Sequence, residues 1–366
     1  MAGSTTLEQI LDLGRWAPSS DNTQPWRFEL VDERALVVHG FDTREHCVYD
    51  LDGHPSQISL GALLETIAIA ASAHGLRMTS ARRTGLPDTT PTFDLRFDHD
   101  ERLATDALVA HIRERSVQRR PMRLRRLTAV EKQALEASVG AGYSLVWFET
   151  SGERLKTARL MFANAKLRLT MPEAYQVHRD IIEWNARFSD DRVPDQALGV
   201  DPMTAKLMRH VLGSWERVRF FNRYLAGTVA PRLQMDLIPG LCCAAHYVLR
   251  AERPAQTIDD YVAAGRALQR FWLTATSLGL AMQPELTPLI FARYVRDGVA
   301  FSAEPGMAAL ARSLAGRLDA LIGASNAEQA VFMGRIGAGP PARARSMRRS
   351  LDSLMLSPVT ASSAAR

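Results

Sequence analysis

The chain has 366 residues, of which 46% are hydrophobic and 23% charged, and its formal net charge is +5. This composition is that of a globular protein with room for one large domain or two ordinary ones. The sequence has no run of about 18 apolar residues that predicts a membrane span, no signal-peptide pattern and no Cys/His spacing typical of zinc. Three cysteines are too few for a disulfide framework, so we expect a cytoplasmic protein without a metal.

The positive charge is concentrated in two arginine-rich segments, residues 113–126 and 343–349. Neither segment has interleaved aromatic residues or a known DNA-reading motif, so nucleic acid is a poor match for them. Arginine forms strong, often bidentate hydrogen bonds with phosphate. A small ligand that carries a phosphate is therefore the better interpretation.

The first part combines two helices with three short strands. In chain order, hydrophobic periodicity predicts a helix over 7–16, strands over 26–31 and 35–39, a long apolar helix over 58–74 and a strand over 92–97. Gly75 provides a helix C-cap.

The second part has more helices. The pattern predicts a helix over 129–139, a strand over 143–148, helices over 154–169 and 172–184, an irregular stretch over 189–202, an apolar helix containing Cys242 and Cys243, helices over 262–278 and 307–322, and a tail from 330 to 356 that continues into frayed Ser/Ala-rich residues. Thr128 and Glu131 form a capping box for the first of these helices. Strands and helices do not alternate regularly, which favours an α+β fold.

A weak internal repeat relates the two parts. Gly61 and the pair Gly75-Leu76 in the first long apolar helix correspond to Gly265 and the pair Gly279-Leu280 in the second. We therefore expect two tandem, diverged halves, residues 1–110 and 111–366.

The most specific segment is Pro18-Ser19-Ser20-Asp21-Asn22-Thr23-Gln24-Pro25-Trp26. Proline and serine predict a tight turn after the first helix, with backbone N–H groups and short hydroxyls available to a polar ligand. This segment resembles the signature loop of the nitroreductase superfamily of flavin enzymes. Arg115-Ser116-Val117-Gln118-Arg119 is similar to the phosphate motif Arg-x-Ser-x-Arg of that family, although Val117 stands where the family has Ser or Thr. Gly334–Gly337 followed by Arg345 and Arg348 resembles its closing segment.

The resemblance implies a nitroreductase-like fold and an FMN cofactor. Members are usually homodimers with two FMN sites between subunits, and here the matching parts add up to one site between two fused halves. The residues implied in FMN binding are Pro18, Ser19, Ser20, Asn22, Gln24, Arg115, Ser116, Arg119, Gln283, Pro284, Glu285, Gly337, Arg345 and Arg348. The fused layout resembles the subgroup of the mycobacterial Acg flavoproteins, in which a helical insert, here residues 172–230, lies over the flavin as a lid.

Three functions follow from this resemblance. The first is an FMN-dependent oxidoreductase that passes hydride from NAD(P)H to a quinone, a nitroaromatic or a similar planar acceptor. The second is a dehydrogenase or oxidase of a specific biosynthetic intermediate, and the third is a protein that sequesters FMN without turnover. The flavin itself carries the chemistry, so no catalytic side chain is assigned. The expected partners are a small-molecule substrate and NAD(P)H, without nucleic acid or membrane, in a monomeric pseudo-dimer or a homodimer.

Overall fold

The computed structural model describes residues 4–356. The helices are α1 (Thr6–Gly14), α2 (His54–Ser72), α3 (Ala129–Ser138), α4 (Ser151–Thr170), α5 (Pro172–Ile181), α6 (Pro202–Val211), α7 (Trp215–Tyr224), α8 (Val229–Arg232), α9 (Ile238–Leu241), α10 (Ile258–Ser277), α11 (Thr287–Asp297), α12 (Met307–Ile322), α13 (Ala324–Gln329) and α14 (Leu351–Leu354). The strands are β1 (Trp26–Asp32), β2 (Ala35–Gly40), β3 (Leu76–Arg82), β4 (Thr92–His99), β5 (Tyr143–Phe148), β6 (Ile182–Glu183), β7 (Phe188–Ser189), β8 (Val193–Pro194), β9 (Ala245–Ala251), β10 (Leu280–Pro284), β11 (Ala330–Ala338) and β12 (Arg345–Ser346). The content is α+β, as the sequence predicts.

Two four-stranded antiparallel sheets share one topology. The first has the strand order β1-β2-β4-β3, with α2 between β2 and β3 in the chain. The second has the order β5-β9-β11-β10, with α10 between β9 and β10. A tight turn joins β1 to β2, whereas the helices α4 to α9 separate β5 from β9. The second sheet therefore has the strand order of the first, with a long helical insertion at one of its connections.

The two long helices α2 and α10 pack directly against each other. A Cβ atom added to Gly61 would lie 2.0 Å from the carbonyl oxygen of Val262, and one added to Gly265 would lie 2.1 Å from that of Ile58. Only glycine permits backbones to approach this closely. The repeated glycines are thus the contact that joins the halves.

The last described segment, residues 345–356, returns to the first half. Strand β12 pairs in parallel with β7, and α14 packs against α1 and β1. The backbone N–H of Leu356 then donates a hydrogen bond to the carbonyl of Phe28 (2.7 Å). The arginine-rich segment 343–349 is therefore held between the halves.

Several sequence predictions were wrong in type. Cys242 and Cys243 lie in a turn before β9 and not in a helix; Cys243 is buried and Cys242 partly so. Residues 330–338 form β11, an inner strand of the second sheet and not a tail. The strands β3 and β10 were not predicted at all. Both faces of β9 and β11 are buried, so their apolar runs lack the alternation that identifies a strand. The Ser/Ala-rich residues 357–366 lie outside the described residues.

Within residues 4–356, no helix combines the length and the hydropathy that a bilayer crossing requires. The same residues contain no cluster of His, Cys, Asp and Glu that could hold a metal ion.

Candidate functional site

A cavity of about 670 Å³ lies between the two halves. Its volume falls within the range of small-molecule and cofactor sites. Its walls come from the loop after α1, the first turns of α2, residues 115–119, the end of β10, the end of α4, the helices α5 to α7 and the segment around β12. The backbone N–H of Gln118 donates to the carbonyl of Met282 (2.9 Å), which places residues 115–119 beside β10.

The loop after α1 has a strained backbone. Asp21, Asn22 and Gln24 have positive φ angles of 49°, 63° and 50°, a conformation that costs free energy for residues other than glycine. Hydrogen bonds within and beyond the loop hold this conformation. The Ser19 hydroxyl accepts from the backbone N–H of Gln24 (2.9 Å), and the side-chain amides of Asn22 and Gln24 donate to the carbonyl of Asp190 (3.2 and 2.8 Å). Strain of this kind is typical of a functional loop.

Three arginines converge at one end of the cavity, and we call Arg115, Arg345 and Arg348 the arginine group. Arg115 and Arg348 are only 3% and 8% exposed, and both donate to the carbonyl of Trp16 (3.1 and 3.3 Å). Arg345 donates to the carbonyl of Arg115 (3.0 Å). The Arg348 guanidinium also donates to the Asn22 side-chain oxygen (2.9 Å), which joins the group to the strained loop.

The arginine group lacks a counter-charge. Among the described residues, none of its members forms an ion pair, and the Nε atoms of Arg115 and Arg345 are buried without a hydrogen-bond partner. Burial and the neighbouring guanidiniums lower the pKa of Arg115 well below its usual value and that of Arg348 to about 9. Buried like charges without acids are costly unless an anion neutralises them. The group is therefore suited to a phosphate.

A second group of charges faces the cavity elsewhere, and we call Arg119, Arg168, Asp21 and Asp236 the mixed-charge group. Arg168 pairs with Asp236 at 3.3 Å. Burial raises the pKa of Asp21, against the opposing charges of Arg119 and Arg168. Burial also raises the pKa of Asp236 to about 6, again opposed by Arg168. Of these four side chains, Arg168 and Asp236 form an ion pair, whereas Arg119 donates to the carbonyl of Ala197 (3.3 Å).

A buried triad lies behind the end of β10. The Glu285 carboxylate accepts from His246 Nδ1 (2.6 Å) and from the Arg335 guanidinium (2.9 Å), while His246 Nε2 contacts the carbonyl of Gly240 (2.8 Å). Burial disfavours the imidazolium, but the Glu285 charge outweighs it and raises the pKa of His246 to about 10. The same contacts lower the pKa of Glu285 despite its burial. The triad is therefore ionised at neutral pH and fixes Glu285 at the cavity wall.

One comparison with known proteins covers the strained loop after α1. A model described as "Nitroreductase; Nitroreductase family" matches residues 4–54, which include the strained loop. This match supports the resemblance to the nitroreductase superfamily.

The other comparisons add little. None of the curated proteins matches the chain. One similar solved structure is a nitroreductase-like family protein from Bacillus cereus, with 12% sequence identity, a TM-score of 0.34 and coverage of 69% of this chain and 95% of that chain. At that TM-score the likeness does not by itself define a common fold.

The structure gathers most of the sequence-predicted nitroreductase site residues around one cavity. Those that line it are Pro18, Ser19, Ser20, Asn22, Arg115, Ser116, Arg119, Gln283, Pro284, Glu285, Arg345 and Arg348. Two predicted residues do not line it. Gln24 is fully buried and holds the loop in place, and Gly337 lies within β11, where its neighbours are Ala244 and Met122. Arg115 and Arg348 share the carbonyl of Trp16, whereas Arg119 donates to the carbonyl of Ala197 (3.3 Å).

Sequence analysis did not predict several of the side chains that line the cavity. These are Asp21, Tyr49, Arg168, His178, Asp236 and Arg335. Asp21 occupies the variable position of the loop motif, so the motif itself carries no signal for it. Arg168, His178 and Asp236 come from the helical insertion, which has no counterpart in the first half. The insertion's Tyr175 and Phe221 also line the cavity, whereas Trp184, Trp215 and Phe220 do not.

Proposed function

We propose that this protein is an FMN-dependent oxidoreductase whose single cofactor site lies between the two halves of the chain. The observation that carries this proposal is the arginine group, three converging guanidiniums without a carboxylate, next to a loop of nitroreductase type. The FMN phosphate carries nearly two negative charges, which would neutralise this group. The buried and unpartnered Nε of Arg115 is a donor of the kind that a phosphate oxygen would satisfy.

The residues present fit FMN. Arg115, Arg345 and Arg348 would hold the phosphate. Ser20 and the backbone of the strained loop would face the ribityl chain or ring edge, because the side chains of Ser19 and Asn22 already have protein partners. Arg119, which is not a member of the arginine group, would stabilise negative charge on the reduced ring. When bound, the flavin supplies hydride transfer, and the surrounding side chains orient the reactants and exclude water.

We further propose that the chain is a fused pair of nitroreductase-like halves in which one of two equivalent sites is lost. A second groove of about 520 Å³ lies beside α3 and α10, in the position that the repeat relates to the cavity. In the repeat, Arg266 of this groove corresponds to Ala62 of the cavity. Arg270 pairs with Glu65 and Asp106 (both 2.7 Å), and Arg266 pairs with Glu65 (3.3 Å). Because acids neutralise these arginines, the groove has no free positive charge for a phosphate.

The reaction that we propose is hydride transfer from NAD(P)H to a planar organic acceptor such as a quinone or a nitroaromatic. The helices α5 to α7, within the proposed lid at residues 172–230, cover part of the cavity and would shield it from solvent.

The deciding measurement is an absorbance spectrum of the purified protein, followed by anaerobic addition of NADPH and NADH. Bleaching of bound flavin supports a nicotinamide-driven reductase. Flavin that only dithionite reduces contradicts a nicotinamide-driven reductase and favours a protein that sequesters FMN. Flavin that only a specific substrate reduces favours a dehydrogenase. A protein that binds no FMN contradicts the whole proposal.

A further inference from the structure

The helices α6 and α7 of the insertion expose large apolar side chains to solvent. Met203 and Leu207 stand one turn apart on α6, and Phe220 and Tyr224 stand one turn apart on α7. Residues four apart share one side of a helix, and the ring centroids of Phe220 and Tyr224 are 5.2 Å apart. Together with Leu225 these four side chains are all exposed, Met203 by 81% and Tyr224 by 64%, and we call the five of them the insertion face. Exposed apolar side chains grouped in this way mark an interaction surface.

Exposed basic residues alternate with these apolar ones. The segment 202–225 contains five basic residues and one acid, Glu216, which gives it a net charge of +4 within a chain of +5. The exposed cations are Lys206, Arg209, Arg217, Arg219 and Arg223. Among the described residues, none of these five forms an ion pair with a carboxylate. The insertion face therefore has unneutralised positive charge beside its apolar side chains.

The same two helices form an apolar wall of the cavity with their other side chains. This part of the lining includes Met208, Val211, Leu212, Val218 and Phe221. Leu207 and Leu225 belong to both surfaces, because each lines the cavity and each is about half exposed, by 49% and 57%. The apolar lining of the cavity is therefore continuous with the insertion face at these two leucines.

The charge decides which partner fits this face. In a symmetric dimer the same surface of each copy meets itself, so the five cations of one copy would face the five of the other. A bilayer that contains anionic lipids provides negative phosphate groups for the cations and hydrocarbon for the apolar side chains. The combination of both kinds of side chain on two adjacent helices is typical of segments that lie in a membrane interface.

From this juxtaposition we infer that the insertion face binds the surface of an anionic lipid bilayer, and that an apolar acceptor enters the cavity from the bilayer past Leu207 and Leu225. The route of the acceptor rests on the proposed function, whereas the binding of lipid does not. Binding at a surface requires no spanning helix. The inference therefore revises the sequence-based expectation of a protein without a membrane partner.

Vesicle flotation of the full-length protein tests the binding of lipid. One set of vesicles is pure phosphatidylcholine, and the other contains about one third phosphatidylglycerol, so that the surface is anionic. We expect binding to the anionic vesicles to be roughly tenfold or more tighter and to weaken at high salt. The double change Arg219→Gln/Arg223→Gln should weaken it roughly 20-fold, because each cation near an anionic surface contributes about fivefold. Phe220→Ser should weaken it about fivefold through lost burial of the ring.

Matched control variants come from exposed positions outside the insertion. Arg96→Gln/Arg102→Gln removes two exposed cations of the first half that have no ion pair among the described residues, and Val130→Ser removes an exposed apolar side chain of α3. Both should leave vesicle binding unchanged. Equal binding to the two kinds of vesicle, or binding to neither, would overturn the inference, as would unchanged binding in Phe220→Ser. A dimer that Phe220→Ser dissociates in analytical ultracentrifugation, without vesicle binding, would assign the face to a second copy instead.

The route of the acceptor has a separate measurement. With NADPH as donor, Phe220→Ser should slow the reduction of a long-chain quinone held in the anionic vesicles, but not that of benzoquinone in solution, because Phe220 does not line the cavity. Equal rates of the variant and the wild-type protein with the vesicle-held quinone would overturn the proposed route. A protein that binds no FMN would be inactive with both quinones, and this result would count against the proposed function while flotation still decides the binding of lipid.

Discussion

The arginine group is the residue-scale feature with the clearest energetic consequence. Arg115 is buried among like charges, and its guanidinium lies 4.5 Å from the centroid of the Trp272 ring. Met retains much of the apolar contact but removes the charge. We expect Arg115→Met to leave the unfolding free energy of the FMN-free protein unchanged or higher, because a buried unpaired charge is removed. FMN affinity should fall by about 1.5–3 kcal/mol.

Fluorescence titration with FMN and urea unfolding measure these two effects. Arg126→Met provides the control, since Arg126 belongs to the same arginine-rich segment but is exposed. Unchanged FMN affinity in Arg115→Met would remove this residue from the phosphate site.

The buried triad predicts a dependence of stability on pH. His246 has a folded pKa of about 10, above the value near 6.5 of an unfolded histidine. Its stabilisation is therefore complete below about pH 6.5 and is lost as the pH rises towards 10, by up to about 1.4 kcal/mol per pH unit. Glu285 has a lowered pKa, so its own contribution is present at neutral pH and is lost only in acid.

Urea unfolding between pH 6 and 10 provides the measurement. The wild-type protein should lose stability with rising pH more steeply than Glu285→Gln, in which His246 has no carboxylate partner. Parallel profiles for the two proteins would show that His246 is neutral in the folded state.

At the scale of elements, the crossing of α2 and α10 depends on two glycines. In Gly61→Ala the new Cβ would collide with the Val262 backbone, so the helices must separate and the unfolding free energy should fall by about 3 kcal/mol or more. The control is Gly316→Ala in α12, where no atom lies within 4 Å. That change should stabilise the protein by about 0.5–1 kcal/mol. Thermal unfolding of both variants tests this, and a mild effect of Gly61→Ala would mean that the crossing can relax.

The elements also show how far sequence reasoning reaches. Helix α12 and strand β5 match their predicted bounds, and Thr128 with Glu131 forms the predicted capping box. Local signals of periodicity and capping determine these elements. The inner strands β9 and β11 could not be recognised locally, because layers distant in sequence cover both of their faces.

The residues of the candidate site also differ in whether the sequence alone indicates them. Residues in short motifs, such as the loop from Pro18 to Asn22 and the pair Arg345 and Arg348, could be predicted because the motif carries the signal. Arg168 and Asp236 could not, since only the folded insertion brings them to the cavity, at 3.3 Å from each other. The repeated glycines Gly61 and Gly265 predicted the correspondence of α2 and α10, but not that the two helices touch there.

At the scale of the whole molecule, the internal repeat predicts how many FMN molecules each chain binds. The groove beside α10 has Gly140 and Ala141 in place of the Pro-Ser-Ser loop, and its arginines are neutralised by Glu65 and Asp106. We therefore expect one FMN per chain, measured as the ratio of bound flavin absorbance to protein concentration and by native mass spectrometry. A ratio of two would show that the groove binds FMN despite its ion pairs.

The return of the C-terminal segment to the first half has a consequence for assembly. The strained loop and the residues that close the cavity belong to one polypeptide, and the hydrogen bond between Leu356 and Phe28 is intramolecular. A site formed between separate subunits disappears when the protein is diluted below its dimer dissociation constant. Here the covalent connection fixes the effective concentration of one half for the other. We therefore expect the cavity to persist on dilution, with the same affinity for a ligand at low and at high protein concentration.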